Sequence, residues 1–126
     1  MATILIIDDS KLSRTMSKRA LSNAGYDTLE AENGREGLQL LKDQKPDCIT
    51  LDLLMPEMDG MQVLAAMREQ GLKTPVVVVT ANVQKGIREE CVAAGACDVV
   101  NKPNTREGEF LQAVADALRP SGIEKS

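Results

Sequence analysis

The sequence predicts one α/β domain: a parallel β-sheet with helices packed on both of its faces. Three observations predict it. Short β-branched apolar runs alternate with helical-period segments five times along 126 residues. Most of those runs are apolar throughout rather than alternating, as strands covered on both faces are. Glycines and prolines fall between them, where helices stop and strands begin.

Each element has its own justification. The first strand is Ile4-Leu5-Ile6-Ile7. Leu12, Met16, Ala20 and Ala24 then recur every four residues, a stripe expected to face the core of a helix that Gly25 ends. Tyr26 to Ala31 alternates and carries Asp27 and Glu30, the pattern of an edge strand. Asn33-Gly34-Arg35-Glu36 resembles a capping box and opens a helix with Leu38, Leu40 and Leu41. Pro46 precedes the third strand, Cys48-Ile49-Thr50-Leu51. Asp59 caps a helix carrying Met61, Leu64 and Met67, which Gly71 terminates. Pro75 leads into Val76-Val77-Val78-Val79. Ile87, Cys91 and Ala94 mark the fourth helix, with Gly95 as its stop, and Asp98-Val99-Val100 is the fifth strand. The last helix follows Thr105 and presents Phe110, Leu111, Val114 and Leu118. The expected domain covers residues 1–120, with a polar, frayed tail over 121–126.

Composition excludes several functions. Lys plus Arg is 15 and Asp plus Glu is 19, a net charge of −4, which disfavours an electrostatic nucleic-acid binder. Aromatics are Tyr26 and Phe110 alone, too few for a base-stacking platform. The chain has no histidine, so Ser-His-Asp and Cys-His catalysis, His-ligated metals and a histidine phosphocarrier are excluded within it. Cys48, Cys91 and Cys97 fit no zinc or redox spacing and are expected to be buried free thiols in a reducing compartment. With no signal-peptide pattern at Met1-Ala2-Thr3 and no apolar run approaching ~20 residues, the expected location is cytoplasmic, without membrane insertion.

In an open parallel α/β sheet, ligands bind at the carboxyl ends of the strands. Those ends carry Asp8-Asp9, Asp52, Thr80-Ala81 and Asn101-Lys102-Pro103. Three carboxylates, a hydroxyl and an ammonium therefore converge on one rim. Clustered carboxylates repel one another, and a hard cation such as Mg2+ relieves the repulsion with carboxylate oxygens, waters and a phosphate. With the cation on Asp8 and Asp9, Asp52 is free to act as a nucleophile. Lys102 and Thr80 could then compensate the charge of a transferring phosphoryl group.

These residues resemble the receiver domain of bacterial response regulators, and in length a stand-alone receiver of the CheY-like kind. The resemblance rests on Ile7-Asp8-Asp9-Ser10, on Leu51-Asp52-Leu53-Leu54-Met55-Pro56-Glu57-Met58-Asp59-Gly60, on Val79-Thr80-Ala81 and on Asn101-Lys102-Pro103. It covers about residues 3–118 and implies the flavodoxin-like strand order 2-1-3-4-5. It implies that Asp52 accepts a phosphoryl group from a sensor histidine kinase or phosphotransfer protein. Asp8, Asp9, Asp52 and the main-chain carbonyl of Leu54 would hold Mg2+. Lys102 would pair with the phosphoryl group, Thr80 would move to bond it, and Ala81 would leave room for that movement. The Lys102–Pro103 bond is expected to be cis. A downstream protein would bind a face made by the fourth helix, fifth strand and fifth helix, in chemotaxis signalling or in a multistep phosphorelay. No DNA-binding or enzymatic output segment is expected after residue 120.

Two departures qualify the resemblance. The family's usual aromatic switch residue, three before Lys102, is Val99 here. The positions that tune phosphoryl lifetime are Leu54 and Asn82, and leucine cannot hydrogen-bond an attacking water. Slow self-dephosphorylation follows, and with it a role for a phosphatase partner. On the first helix, Leu12, Met16 and Ala20 are either core or a kinase-docking patch. Rival readings fit less well. A haloacid-dehalogenase-like phosphatase needs a second Asp where Leu54 stands, and flavodoxin-type cofactor binding needs a Ser/Thr/Gly loop where Asp8-Asp9-Ser10-Lys11 stands. A pseudo-receiver docking module would not need the intact acidic set.

Overall fold

The computed structural model describes residues 2–81, 83–103 and 107–119. The elements run β1 (Thr3–Ile7), α1 (Lys11–Asn23), β2 (Asp27–Ala31), α2 (Gly34–Gln44), β3 (Cys48–Asp52), α3 (Gly60–Glu69), β4 (Val76–Thr80), α4 (Ile87–Ala93), β5 (Asp98–Asn101) and α5 (Glu107–Leu118). All strand pairings are parallel, in the order β2-β1-β3-β4-β5. Both the alternation of elements and the edge position expected for Tyr26–Ala31 are observed.

Side chains of one strand point alternately to the two faces, so each continuous apolar run fills two cores at once. Leu5 and Ile7 of β1 join Ile49, Leu51, Val76, Val78 and Val99 on the face covered by Leu38, Leu41, Val63, Leu64, Met67 and Cys91. Ile4 and Ile6 join Cys48, Val77, Val79 and Val100 on the opposite face, under Ala20, Leu21, Phe110, Ala113 and Val114. Each fully buried Val, Leu, Ile, Met or Phe among them contributes about 1.5–3 kcal/mol, so the central strands anchor the rim above them.

Helix starts and stops follow the capping chemistry. Asp59 and Gln62 form a reciprocal capping box at α3. Asn33 caps α2 by accepting from the Glu36 N–H at 2.8 Å, but Glu36 reaches back to the Glu32 N–H rather than to that of Asn33. The expected capping box is therefore stretched by one residue. Gly25, Gly71 and Gly95 all have positive φ just past their helices. The Thr105 start and the 121–126 tail lie outside the described residues.

Two expectations are corrected. Leu12 is 71% exposed, and the buried face of α1 is Ser17, Ala20 and Leu21. A four-residue repeat advances about 400° and so drifts about 40° per step around the helix. A stripe starting at Leu12 meets the core at Ala20 only. Cys97 is exposed, while Cys48 and Cys91 are buried. It follows core residue Ala96 and lines an open hollow at the sheet margin. Burial pushes the Cys48 thiol up to about 12 and raises that of Cys91, so both are inert.

Candidate functional site

The carboxyl ends of β1, β3, β4 and β5 bring the sequence-predicted residues together. Asp52 ends β3 opposite Val79, and Thr80 ends β4 opposite Asn101. Asp8 extends β1, its N–H donating to the Ala31 carbonyl at 3.1 Å. One carboxylate oxygen from each of Asp8, Asp9 and Asp52 lies within 4.8 Å of the others. Asp8, Asp52 and Thr80 are buried, and Asp9 is exposed. Lys102 enters from beyond β5. Its Nζ lies 3.2 Å from Asp8 Oδ2 and 3.6 Å from Asp52 Oδ2.

The close approach of backbone around Asp52 depends on Gly60. A Cβ there would meet the Asp52 carbonyl oxygen at 2.7 Å and Leu53 Cα at 2.9 Å. The Gly60 N–H also donates to the Leu53 carbonyl at 2.9 Å. The start of α3 thus clamps the loop that carries Asp52 to Leu54.

The electrostatics are dominated by the clustered carboxylates. Burial, then the neighbouring Asp8 charge, push the Asp52 carboxyl up from 3.8 to about 7, and Lys102 opposes the rise. One ammonium, paired with Asp8 and Asp52, does not balance the three carboxylates. Hard oxygen donors at this separation fit a small divalent cation. The donor set could therefore hold a metal ion.

Other expectations fare variously. Ala81 is exposed beside buried Thr80, and Pro103 is buried. The Leu54 side chain is 75% exposed. Val99 is fully buried in the core with Val78 and Cys91. Asn82 lies outside the described residues. The Lys102–Pro103 bond is not cis, since no cis peptide occurs among the described residues. The lysine points inward without it, because its N–H is held by the Thr80 carbonyl at 2.9 Å and its ammonium by the acidic cluster. A hollow of about 950 Å³ lies at the opposite ends of β4 and β5, among Leu64, Met67, Leu72 and Cys97. It is remote from the carboxylates, which occupy the other rim.

Sequence reasoning missed three supporting residues. Arg14 donates to the Asp8 carbonyl at 2.7 Å and contacts Glu30 Oε1 at 3.4 Å, tying the β1–α1 loop to β2. Ser13 Oγ lies 3.1 Å from Lys102 Nζ. Arg88 bridges the Asp98 carboxylate at 2.9 Å and the Val99 carbonyl at 3.0 Å, joining α4 to β5. Only the helical spacing of Arg14 from the Asp8-Asp9 turn, opposite an acidic edge strand, could have signalled the first. The other two depend on pairings across the sheet.

Comparisons with known proteins agree with this geometry. Residues 4–115 match the family described as response regulator receiver domain. The chemotaxis protein CheY of Listeria monocytogenes is 36% identical over 120 residues, covering 94% of this chain and all of that protein. The regulatory protein AtoC of Escherichia coli is 41% identical over 97% of this chain but only 26% of its own length. The chain likewise spans 32% of a Treponema denticola protein-glutamate methylesterase/protein-glutamine glutaminase and 50% of a Mycolicibacterium vanbaalenii response regulator MprA. Among solved structures, Vibrio cholerae CheY4 superposes with a TM-score of 0.83 at 30% identity, over 94% of this chain and 99% of that one. The response regulator domain of Thermotoga maritima CheB gives 0.85 at 25% identity, over 95% and 99%. The five-stranded order, the acidic rim and these matches agree: the chain belongs to the response regulator receiver domain family.

Proposed function

We propose that this chain is a phosphorylation-driven switch in which Asp52 is the phosphoacceptor. The observation that supports this best is the joint placement of Asp8, Asp9, Asp52, Thr80 and Lys102 on one rim, with Asp52 buried among like charges. The donor is a phosphohistidine on a sensor kinase or phosphotransfer protein, which supplies the histidine this chain lacks. An Asp52 carboxylate oxygen attacks phosphorus, the P–N bond breaks as the P–O bond forms, and the electron pair leaves on the imidazole, which is protonated from water. Asp8, Asp9, Asp52 and the Leu54 carbonyl would hold Mg2+, which would supply charge neutralisation at the phosphoryl oxygens. Lys102 pairs with one phosphoryl oxygen, and the Thr80 hydroxyl donates to another in the space beside Ala81.

The added charge of about −1.5 to −2 is stable only while these groups close on it. Thr80 is bonded through its carbonyl to Lys102, and Val83 just beyond is held by Asn101 Oδ1 at 3.3 Å. Arg88 ties α4 to β5. Movement at Thr80 thus has a route to the α4–β5–α5 face, which we assign as the surface for a downstream protein. The working unit is residues 1–120, with 121–126 as a tail. Its own chemistry is phosphoryl uptake and slow hydrolysis. The Leu54 side chain offers no hydrogen bond to an attacking water, which supports a long-lived phosphoryl state and a phosphatase partner. A half-life of seconds in Mg2+ buffer would count against that.

Chemotaxis signalling is one pathway this fits. Buried Val99, without an aromatic readout, favours the alternative of a phosphate carrier in a multistep relay. Beryllofluoride with Mg2+ tests the switch. NMR resonances of α4, β5 and α5 should move as a set, and Asp52→Asn should abolish the change. No response in the wild type leaves a docking module as the reading.

A further inference from the structure

We propose that Ser13 is a positioning residue that holds the Lys102 ammonium beside Asp52 without letting it cap the nucleophile. The inference rests on the phosphoacceptor reading of Asp52. Lys102 Nζ is the one cation within reach of Asp8 and Asp52 among the described ion pairs, and its side chain is 18% exposed. Its shortest polar contact among the described residues is with a neutral group, Ser13 Oγ at 3.1 Å. Asp8 Oδ2 follows at 3.2 Å and Oδ1 at 3.5 Å, while Asp52 Oδ2 stands off at 3.6 Å. That last distance is an ion pair but longer than a hydrogen bond.

An ammonium has three donors and no acceptor. Given only carboxylates, it would settle between Asp8 and Asp52, hydrogen-bond both and occupy the lone pairs needed by phosphorus and by the cation. Ser13 gives it a third partner on the α1 side and draws it away from Asp52. Because the hydroxyl is uncharged, it does this without adding repulsion toward an incoming phosphoryl group.

The hydroxyl is held in register with the site. Its own N–H donates to the N-cap Ser10 Oγ at 3.2 Å, and Ser10 N–H in turn donates to Asp8 Oδ1 at 2.9 Å. The next residue, Arg14, grips the Asp8 carbonyl. Ser13, Asp8 and the N-terminus of α1 therefore form one hydrogen-bonded corner, and Lys102 reaches it from beyond β5.

Removing the hydroxyl should move the ammonium onto Asp52. Ser13→Ala should slow labelling of Asp52 by phosphoramidate, a small donor that bypasses kinase docking, by roughly three- to tenfold. It should also weaken Mg2+ binding several-fold, because the ammonium then competes for the same oxygens. Ser13→Thr keeps a hydroxyl and should restore both. In EDTA, the Lys102 side-chain methylene resonances should shift in the alanine variant and not in the threonine variant, with the denaturation midpoint little changed.

The outcomes separate the two claims. If wild-type protein is not labelled on Asp52, the phosphoacceptor reading fails, and the Mg2+ and EDTA measurements still decide the role of Ser13. If the wild type is labelled but Ser13→Ala matches it in rate, Mg2+ affinity and Lys102 resonances, the positioning role is wrong. A loss that threonine does not restore would assign the effect to packing and also overturn it.

Discussion

Replacing Asp52 with asparagine should stabilise the metal-free protein at alkaline pH. Burial and Asp8 raise the Asp52 carboxyl from 3.8 to about 7, so above that pH the fold carries a charge it holds poorly. At full strength the rise corresponds to roughly 4 kcal/mol. Exposed Asp9 admits water and salt to the cluster, and screening reduces this to about 1–2 kcal/mol. The sign follows from proton linkage. Between pH 4 and 7 the folded state keeps a proton that the unfolded state has lost, so wild-type stability falls as pH rises through that window. The contribution is fully present below 3.8 and gone above about 7. Urea denaturation in EDTA at pH 8 should therefore show Asp52→Asn more stable by about 1–2 kcal/mol, or about 4–8 °C in a thermal scan. The gap should shrink toward pH 4, and Mg2+ should narrow it by stabilising the wild type selectively. Equal or lower stability of the variant at pH 8 in EDTA would refute the claim that Asp52 is an electrostatically strained carboxylate.

Gly60→Ala should cost about 1–3 kcal/mol, because its Cβ would strike the Asp52 carbonyl and Leu53 Cα, and it should also impair labelling of Asp52; urea denaturation and phosphoramidate kinetics check both. Arg14→Ala should cost about 1–2 kcal/mol by freeing the Asp8 carbonyl, and weaken Mg2+ binding measured by NMR titration. Leu12→Ser should change stability by less than about 0.5 kcal/mol in the same denaturation assay, since the side chain is 71% exposed; a large loss would restore Leu12 to the core.

Particular residues show why some features could be read from the sequence. The strands were legible because Ile4–Ile7 and Val76–Val79 have no polar alternation, which only a two-sided core explains. The rim was legible because the chemistry-bearing residues stand at strand ends, and parallel topology brings those ends together. Leu12 misled because a four-residue repeat looks periodic in sequence yet drifts around the helix. Ser13 and Arg88 were invisible because their partners, Lys102 and the Asp98–Val99 segment, are set by sheet order and side-chain reach, neither of which leaves a local pattern. The exposed Cys97 shows the same limit at the sheet margin, where small and apolar neighbours do not imply burial.

The most direct test of the central claim is to locate the phosphoryl group. Wild-type protein treated with phosphoramidate and Mg2+ should gain a single phosphoryl group, and peptide mapping should place it on Asp52 as a hydroxylamine-labile acyl phosphate. The adduct should be absent in EDTA and in Asp52→Asn. Labelling on another residue, or labelling that persists in Asp52→Asn, would contradict the assignment of Asp52 as the phosphoacceptor.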